Sequence, residues 1–463
     1  MSENAKMDKN TMIKWLVTLA LPLILFLIPC GDVYTWKIKL FLVFTVMIIC
    51  MVAFEFFDAL VPAMLLPTLY TVFGVVEAKV AFSAWTSTTL YMILGAFILT
   101  TVLDDSGLLS RIAYWVIRKS GGSYTGALYG IFFAGIALAV VTFNSSYVIM
   151  ATLAYGICRA MGFGKSIESA LVLIVGAMGA LTVKVFIFNP VYVSLAEAGT
   201  QQFLPEFAIA WHHQLIYNFP AFIMAIVTIW VFTKIFKTKN VKFDGGKEYF
   251  ENEYRKLGPM SLAEKKSIVI LIAMMLFIVT NPIHGLPVAY GFMLFPWLFF
   301  MPGINVGTKE SIKKVNFGVI FFAGACMSIG TVATTLGINT LLSQVVTPIL
   351  ADKSPTIILY AVLIIGTLSN LVLTPTAMMG CLTTPLVQIS MDLGMSPWPA
   401  ILTAIYSTDA IFLPHEVAVL LIFFGFGLMS MKDFIKLYTI KNIVVFVLFG
   451  VLQIPYWYLI GLL

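Results

Sequence analysis

Long apolar runs alternate with short polar ones along the whole chain. Runs near 12–30, 35–54, 58–76, 86–104, 166–198, 214–235, 267–284, 287–302, 315–335, 399–428 and 440–461 predict helices. Each is about as long as a helix must be to cross roughly 30 Å of hydrocarbon. Two further apolar stretches, 123–160 and 354–390, are interrupted in their middles. Read as re-entrant hairpins that enter and leave on one side, they leave eleven crossings. The expected fold class is an all-α polytopic membrane protein with eleven transmembrane helices and two re-entrant hairpins.

Composition agrees. The chain is 60% hydrophobic and 11% charged, where a soluble domain carries about 25% charged residues. A net charge of +6 is not a nucleic-acid signal here, because the basic residues fall in the polar gaps, where they set orientation. Lys6, Lys9 and Lys14 put the N-terminus inside. The predicted inside loops then hold Arg111, Arg118, Lys119, Arg159, Lys165, the lysines from Lys234 to Lys266, Lys309, Lys313, Lys314, Lys432, Lys436 and Lys441. Predicted outside loops hold only Lys37, Lys39, Lys79 and Lys353. This asymmetry survives only if both interrupted stretches turn back. It places the protein in a bacterial cytoplasmic membrane with the N-terminus inside and the C-terminus outside. Cys30, Cys50, Cys158, Cys326 and Cys381 show neither disulfide nor zinc spacing. The first apolar run lacks a cleavage site and reads as a retained span rather than a signal peptide.

The soluble stretch 240–262 divides the chain into halves that resemble each other. Gly95 and Gly324 are 229 positions apart, Gly107 and Gly337 230, Asn144 and Asn370 226, and Pro190 and Pro414 224. A drifting offset is expected where loops vary and elements persist. Five crossings and one hairpin per half would invert the second copy. Inverted repeats with broken helices mark secondary transporters, whose site lies at the midplane where the breaks face each other.

Four breaks stand out, and a non-helical backbone at membrane depth must line a cavity or be buried in protein. The first hairpin tip holds Asn144, Ser145 and Ser146, and the second Ser369, Asn370, Thr374, Pro375 and Thr376. The segment 166–198 is too long for one straight span; Gly176, Gly179, Asn189 and Pro190 read as its unwound middle. Leu413-Pro414 breaks the fourth just before His415. Such breaks offer helix N-termini and neutral donors to an anion, and free carbonyls to a cation. A lone Asn or Ser would more often make a helix-packing bond worth about 0.6 kcal/mol. Asparagines at matching places in both halves favour a site for a small, doubly negative solute.

With these features the sequence resembles the divalent-anion:sodium symporters, a family that includes dicarboxylate cotransporters. Its hallmark is a Ser-Asn-Thr tip on each of two hairpins, with Thr-Pro-like breaks in unwound helices. The resemblance spans the chain: length, spans, hairpins and mid-sequence linker. It implies an elevator-type homodimer, with residues 1–122 and 266–352 as scaffold and dimerisation domain. Residues 123–235 and 353–463 would form the transport domain, and 236–265 a cytoplasmic linker. It also implies that Asn144, Ser145, Ser369 and Asn370 grip substrate carboxylate and help bind sodium. The expected partners are membrane lipid and a small dianion. A C4-dicarboxylate, one carboxylate per tip, is favoured, while sulfate-like dianions or citrate also fit. No cofactor other than a sodium ion is expected. The chain departs from the pattern at Phe143, where the family has Ser, and at Leu371, where it has Thr. It keeps one of two prolines, Pro190, in the first broken helix, and puts His415 and Glu416 where small residues stand in the second.

Lys184 falls mid-segment, where a lysine costs roughly 2.5–3.5 kcal/mol on insertion scales and is usually functional. Lys184, and His415 when protonated, are placed to stand where bound cations would sit. That points to sodium-independent exchange or proton coupling, since histidine titrates near neutral pH. The plainer readings are a snorkelling or Glu416-paired Lys184 and a core His415 bonded to a carbonyl. Glu416 would neutralise one of these cations or carry a coupling proton. Asp409 is a weaker member of the same cluster, Asp104 and Asp105 a cap or cytoplasmic lip, and His212 and His213 interfacial. A zinc-protease reading of "HEVAV" fails because residue 419 is Val, not the second histidine such a motif needs. An arsenite/proton-type antiporter would need an acidic pair, for which only Glu416 and Asp409 come close. An anion channel would need a continuous polar stripe, whereas polarity is gathered at four breaks. No enzyme activity is expected.

Overall fold

The structure, a computed structural model, describes residues 9–54, 56–58, 60–120, 123–143, 147–241, 246–371 and 373–463. It is 77% helix, with no strand among the described residues. The first half runs α1 (Lys9–Leu27), α2 (Trp36–Ala53), α3 (Leu60–Val72), α4 (Thr88–Asp105), α5 (Leu108–Ile117), α6 (Tyr124–Thr142), α7 (Tyr147–Ala160), α8 (Ile167–Leu181), α9 (Pro190–Gln201) and α10 (Phe219–Ile235). After a linker helix α11 (Gly246–Lys256) come α12 (Leu262–Val279), α13 (Val288–Leu298), α14 (Phe317–Thr335), α15 (Ile338–Leu350), α16 (Pro355–Asn370), α17 (Pro375–Asp392), α18 (Pro397–Ser407), α19 (Ala418–Gly425) and α20 (Met431–Leu448). Among the described residues, five stretches are long and apolar enough to cross a membrane: Thr88–Asp105, Tyr124–Thr142, Ile167–Gln201, Phe317–Thr335 and Met431–Leu459. Shorter apolar helices accompany them.

The order of elements repeats across the linker. α4 and α14 each end at a glycine in the left-handed region, Gly107 (φ 81°) and Gly337 (φ 74°), a conformation that disfavours any residue with a Cβ. The short helices that follow, α5 and α15, are strongly amphipathic, unlike the uniformly apolar helices around them. A helix pair (α6 and α7; α16 and α17) and a broken helix (α8 to α9; α18 to α19) come next in each half. Polar caps fix many starts. The hydroxyls of Ser123, Ser166 and Ser354 accept from the first turns of α6, α8 and α16, and Ser261 with Glu264 closes a capping box on α12.

Each pair packs on its own broken helix through a glycine. A Cβ on Gly135 of α6 would lie 2.2 Å from the carbonyl oxygen of Gly179 in α8. A Cβ on Gly366 of α16 would lie 2.1 Å from the Ser407 hydroxyl in α18. This corrects the expectation for Gly176 and Gly179. α8 stays helical through both, and they are small because α6 and α7 press on them, with Ile131 and Ala154 at 3.0 Å from a Cβ on Gly176. Unwinding starts only at Thr182.

The soluble linker is not a loose tether. Phe250 of α11 is fully buried, and the Arg118 guanidinium stacks 4.0 Å over the Tyr254 ring. Arg111 of α5 bonds both carboxylate oxygens of Glu264 at 2.6 and 3.2 Å and the carbonyls of Leu257 and Gly258 at 3.2 and 3.0 Å. Burial alone would raise the Glu264 pKa, but the hydrogen bonds from Arg111 and the Ser261 N–H outweigh it and hold the carboxyl below its ordinary range.

Candidate substrate site

α8 loses its helical ladder at Leu181. A tight turn, Thr182–Val185, carries the chain into an extended Asn189, whose side chain accepts from the N–H groups of Val191 and Tyr192 at 3.1 and 3.3 Å. Pro190 then opens α9 at the position where a missing N–H costs nothing. The second half repeats the device. α18 stops at Ser407, and Pro414–Glu416 forms a short turn before α19. α17 starts in the same way as α9: the Thr374 hydroxyl accepts from the Ala377 N–H at 3.3 Å, and Pro375 follows.

These starts meet around a cavity of about 410 Å³, lined by Lys184, Asn189, Tyr192, Thr374, Pro375, Thr376, Glu416 and Tyr147. Its mouth carries the exposed Asp58 and Asn316. Lys184, Asn189 and Glu416 are 3%, 5% and 3% exposed at its floor. The volume suits a small solute. The N-termini of α9 and α17 present positive dipole ends to it.

Lys184 does not snorkel. Its ammonium lies 4.7 Å over the Tyr192 ring and donates to the Tyr192 hydroxyl at 3.4 Å and the Thr408 carbonyl at 3.3 Å. Glu416 does not neutralise it: one carboxylate oxygen accepts from the N–H groups of Phe412 and Leu413 at 3.0 and 2.7 Å. The other is buried with no partner among the described residues. Among the described residues Lys184 has no carboxylate at ion-pair distance.

Asn144, Ser145 and Ser146 lie outside the described residues, as does the His415 side chain. Phe143, just before the first tip, is left-handed (φ 52°) and buried, packed edge-on against Phe188 at 6.1 Å and Phe292 at 5.3 Å. Phe143, where the symporter resemblance leads to an expected serine, is thus packed onto Phe188 of the first break. Asn370 is buried but does not line the cavity; its amide donates to the Ser407 carbonyl, and its own oxygen has no partner among the described residues. The Ser369 hydroxyl turns back to the Ile365 carbonyl at 2.8 Å. The described residues bring no three His, Cys, Asp or Glu together as a metal site.

Lys441 is the main correction. Expected as an inside-loop lysine, it is 1% exposed within α20 and forms an ion pair with Asp409 at 2.8 Å. A signal was present: nine residues past Lys432, at about 100° per residue, Lys441 points opposite to it on the helix. The same cluster ties the halves together. The Thr182 hydroxyl donates to Asp409 at 3.1 Å, and Asn218 and Asn442, 224 positions apart like the prolines, donate to the Val185 and Ile411 carbonyls at 2.8 and 2.7 Å.

A family model described as citrate transporter, CitMHS, matches residues 49–406. The chain belongs to the CitMHS family. CitMHS proteins are transporters rather than enzymes and require no cofactor. A relative from Escherichia coli O6:K15:H31, an L-tartrate/succinate antiporter, is 20% identical over 393 residues, 81% of this chain and 80% of its own. A membrane protein of Cupriavidus necator is 25% identical over 274 residues; the match spans 58% of this chain and 53%, about half, of that protein. Two solved transporters share the fold. YdaH of Alcanivorax borkumensis has a TM-score of 0.56 at 14% identity, covering 97% of this chain and 98% of its own. MtrF of Neisseria gonorrhoeae, described within a class of antimetabolite efflux pumps, has a TM-score of 0.58 at 13% identity, covering 95% and 94%.

Proposed function

We propose that this CitMHS member is a secondary active carrier that exchanges small dicarboxylates, four-carbon ones foremost, across the bacterial cytoplasmic membrane without a bound sodium ion. One observation carries the reading: a buried ammonium, Lys184, with no carboxylate at ion-pair distance among the described residues, at the floor of a cavity onto which two proline-started helix N-termini open. A dianion entering it meets Lys184 and the starts of α9 and α17, through Asn189, Thr374 and Thr376. Asn144, Ser145 and Ser146 would complete the wall, and Ser369 and Asn370 would brace the second break behind it. His415 adds a second positive charge when protonated, and Glu416 carries the proton that lets two negative groups share the site. The likeness to a tartrate/succinate antiporter supports exchange as the mode.

The remaining architecture follows the resemblance to divalent-anion:sodium symporters. Eleven crossings, two re-entrant hairpins, an inside N-terminus and an outside C-terminus fit the charge asymmetry. The transport domain of residues 123–235 and 353–463 moves as an elevator against a dimeric scaffold of 1–122 and 266–352, with 236–265 as linker. An arsenite/proton antiporter fits less well, because Asp409 is paired with Lys441 and is not free to act with Glu416.

Purified protein in liposomes loaded with succinate tests the proposal. Labelled succinate should enter saturably, only against internal dicarboxylate, and equally in sodium or choline. Uptake that needs sodium, or that fails to saturate, ends it.

A further inference from the structure

Four carbonyls at and just beyond the end of α18 each take a side-chain donor from elsewhere; among the described residues only that of Ser407 also accepts a backbone bond, from the Ala410 N–H at 3.1 Å. Ser407 takes the Asn370 amide, Thr408 the Lys184 ammonium, Asp409 the Lys441 ammonium at 2.5 Å and Ile411 the Asn442 amide. Helix C-termini leave such carbonyls unpaired and carry negative dipole. In membrane carriers, unwound carbonyls and half-helix C-termini are where coupling cations are held.

The two breaks solve this differently. In the first, the Lys184 and Val185 carbonyls take neutral amides from Gln214 and Asn218. Neutral donors are therefore sufficient to cap a break in this fold. In the second, a lysine and an aspartate are both buried, 2% and 7% exposed by side chain, where charge is costly. Carbonyl capping alone does not account for them. The Asp409 carbonyl and one Asp409 carboxylate oxygen lie 2.5 and 2.8 Å from the Lys441 ammonium, as oxygen ligands lie about a small cation, while the Thr182 hydroxyl donates to the other carboxylate oxygen and orients it.

We propose that Lys441 is a built-in cation: its ammonium fills, on the second broken helix, the place a free monovalent cation would otherwise take. The break then keeps its shape through the cycle with no ion bound. Lys441, Asp409 and Thr182 are positioning residues; Lys184 is the group that meets substrate. The physiological meaning rests on the sodium-independent carrier proposed above, but the chemistry does not, so the test has a readout that needs no substrate.

Full-length Lys441→Ala is purified and its thermal midpoint compared in sodium, lithium and choline chloride at equal ionic strength. Emptying the site should let a small cation bind. The midpoint should rise by about 3 °C or more in sodium or lithium over choline. The wild type and the double variant Lys441→Ala/Asp409→Asn should show no such difference. In succinate-loaded liposomes, Lys441→Ala should lose exchange in choline and regain at least about tenfold in the stabilising salt. Lys441→Gln, a neutral amide like those of the first break, is a milder second variant and should lose exchange by about tenfold or more. A Lys441→Ala midpoint blind to every small cation overturns the proposal. So does a Lys441→Gln carrier as active as wild type in choline. If the wild type exchanges no dicarboxylate, the carrier reading fails alone and the midpoints still decide the role of Lys441.

Discussion

The two broken helices have the same outline and different electrostatics. Both are packed by a glycine of the preceding helix pair, and both are capped by an asparagine from further along the chain, Asn218 just before α10 and Asn442 within α20. The first break takes neutral amides from Gln214 and Asn218 and sends its one cation, Lys184, across to Thr408, its own counterpart 224 positions on. The second receives that cation and a second one, from Lys441. A repeat preserves backbone geometry because the geometry is set by packing and capping. Charge is free to differ between the halves.

The largest effect is expected at Lys184. Lys184→Met removes the cation that faces the cavity while filling its space, so succinate binding should weaken on the order of 100-fold, measured by calorimetry. Equal binding by the variant would leave the first break with no electrostatic role. Next come the glycine contacts. Gly135→Ala drives a methyl into the backbone of Gly179, whereas Gly366→Ala meets the Ser407 side chain, which can partly give way. The first should cost about 1–3 kcal/mol of unfolding stability and the second less. A reversed order would mean that the packing of the two halves is not equivalent.

Smaller still, Asn442→Ala takes the amide donor from the Ile411 carbonyl and Asn218→Ala leaves the Val185 carbonyl with the longer 3.4 Å bond from Gln214; each should cost about 1 kcal/mol. Near-equal losses in thermal midpoint would support equivalent caps; a loss at only one would break the symmetry. The smallest effect belongs to the Arg111–Glu264 clasp outside both breaks. The Glu264 pKa is depressed in the fold, so its stabilisation is present above the ordinary value of 4.5 and is lost as pH falls through the depressed value. The midpoint gap between wild type and Glu264→Gln should stay constant from about pH 8 to pH 5 and close below that. A gap that widens in acid would refute the assignment.

Much of the fold was legible because lipid imposes a coarse rule. Apolar runs long enough to cross it show up in a single sequence, and so do Pro190, Pro414 and Thr374-Pro375, which stand at helix starts, although Pro22, Pro67, Pro296, Pro348 and Pro385 lie inside helices and show that proline alone does not mark a break. Glycine was ambiguous. Gly176 and Gly179 have the composition of a hinge, yet they are small because a neighbouring helix presses on them, which no local pattern reveals. Lys184 was recognisable as a lone charge in an apolar segment. Lys441 was hidden by two nearby lysines that do belong to the surface, and only the helical phase separates them.

The sequence by itself determined what depends on local chemistry: helices long enough for a bilayer, where their ladders stop, and that the two halves share an order. Tertiary structure alone decided which distant groups meet: Lys441 with Asp409, Lys184 with Thr408, and Arg111 with Glu264. The reason is distance along the chain. A charge buried in a membrane protein needs a partner within a few ångströms, and here the carbonyl that accepts Lys184 comes from 224 residues away.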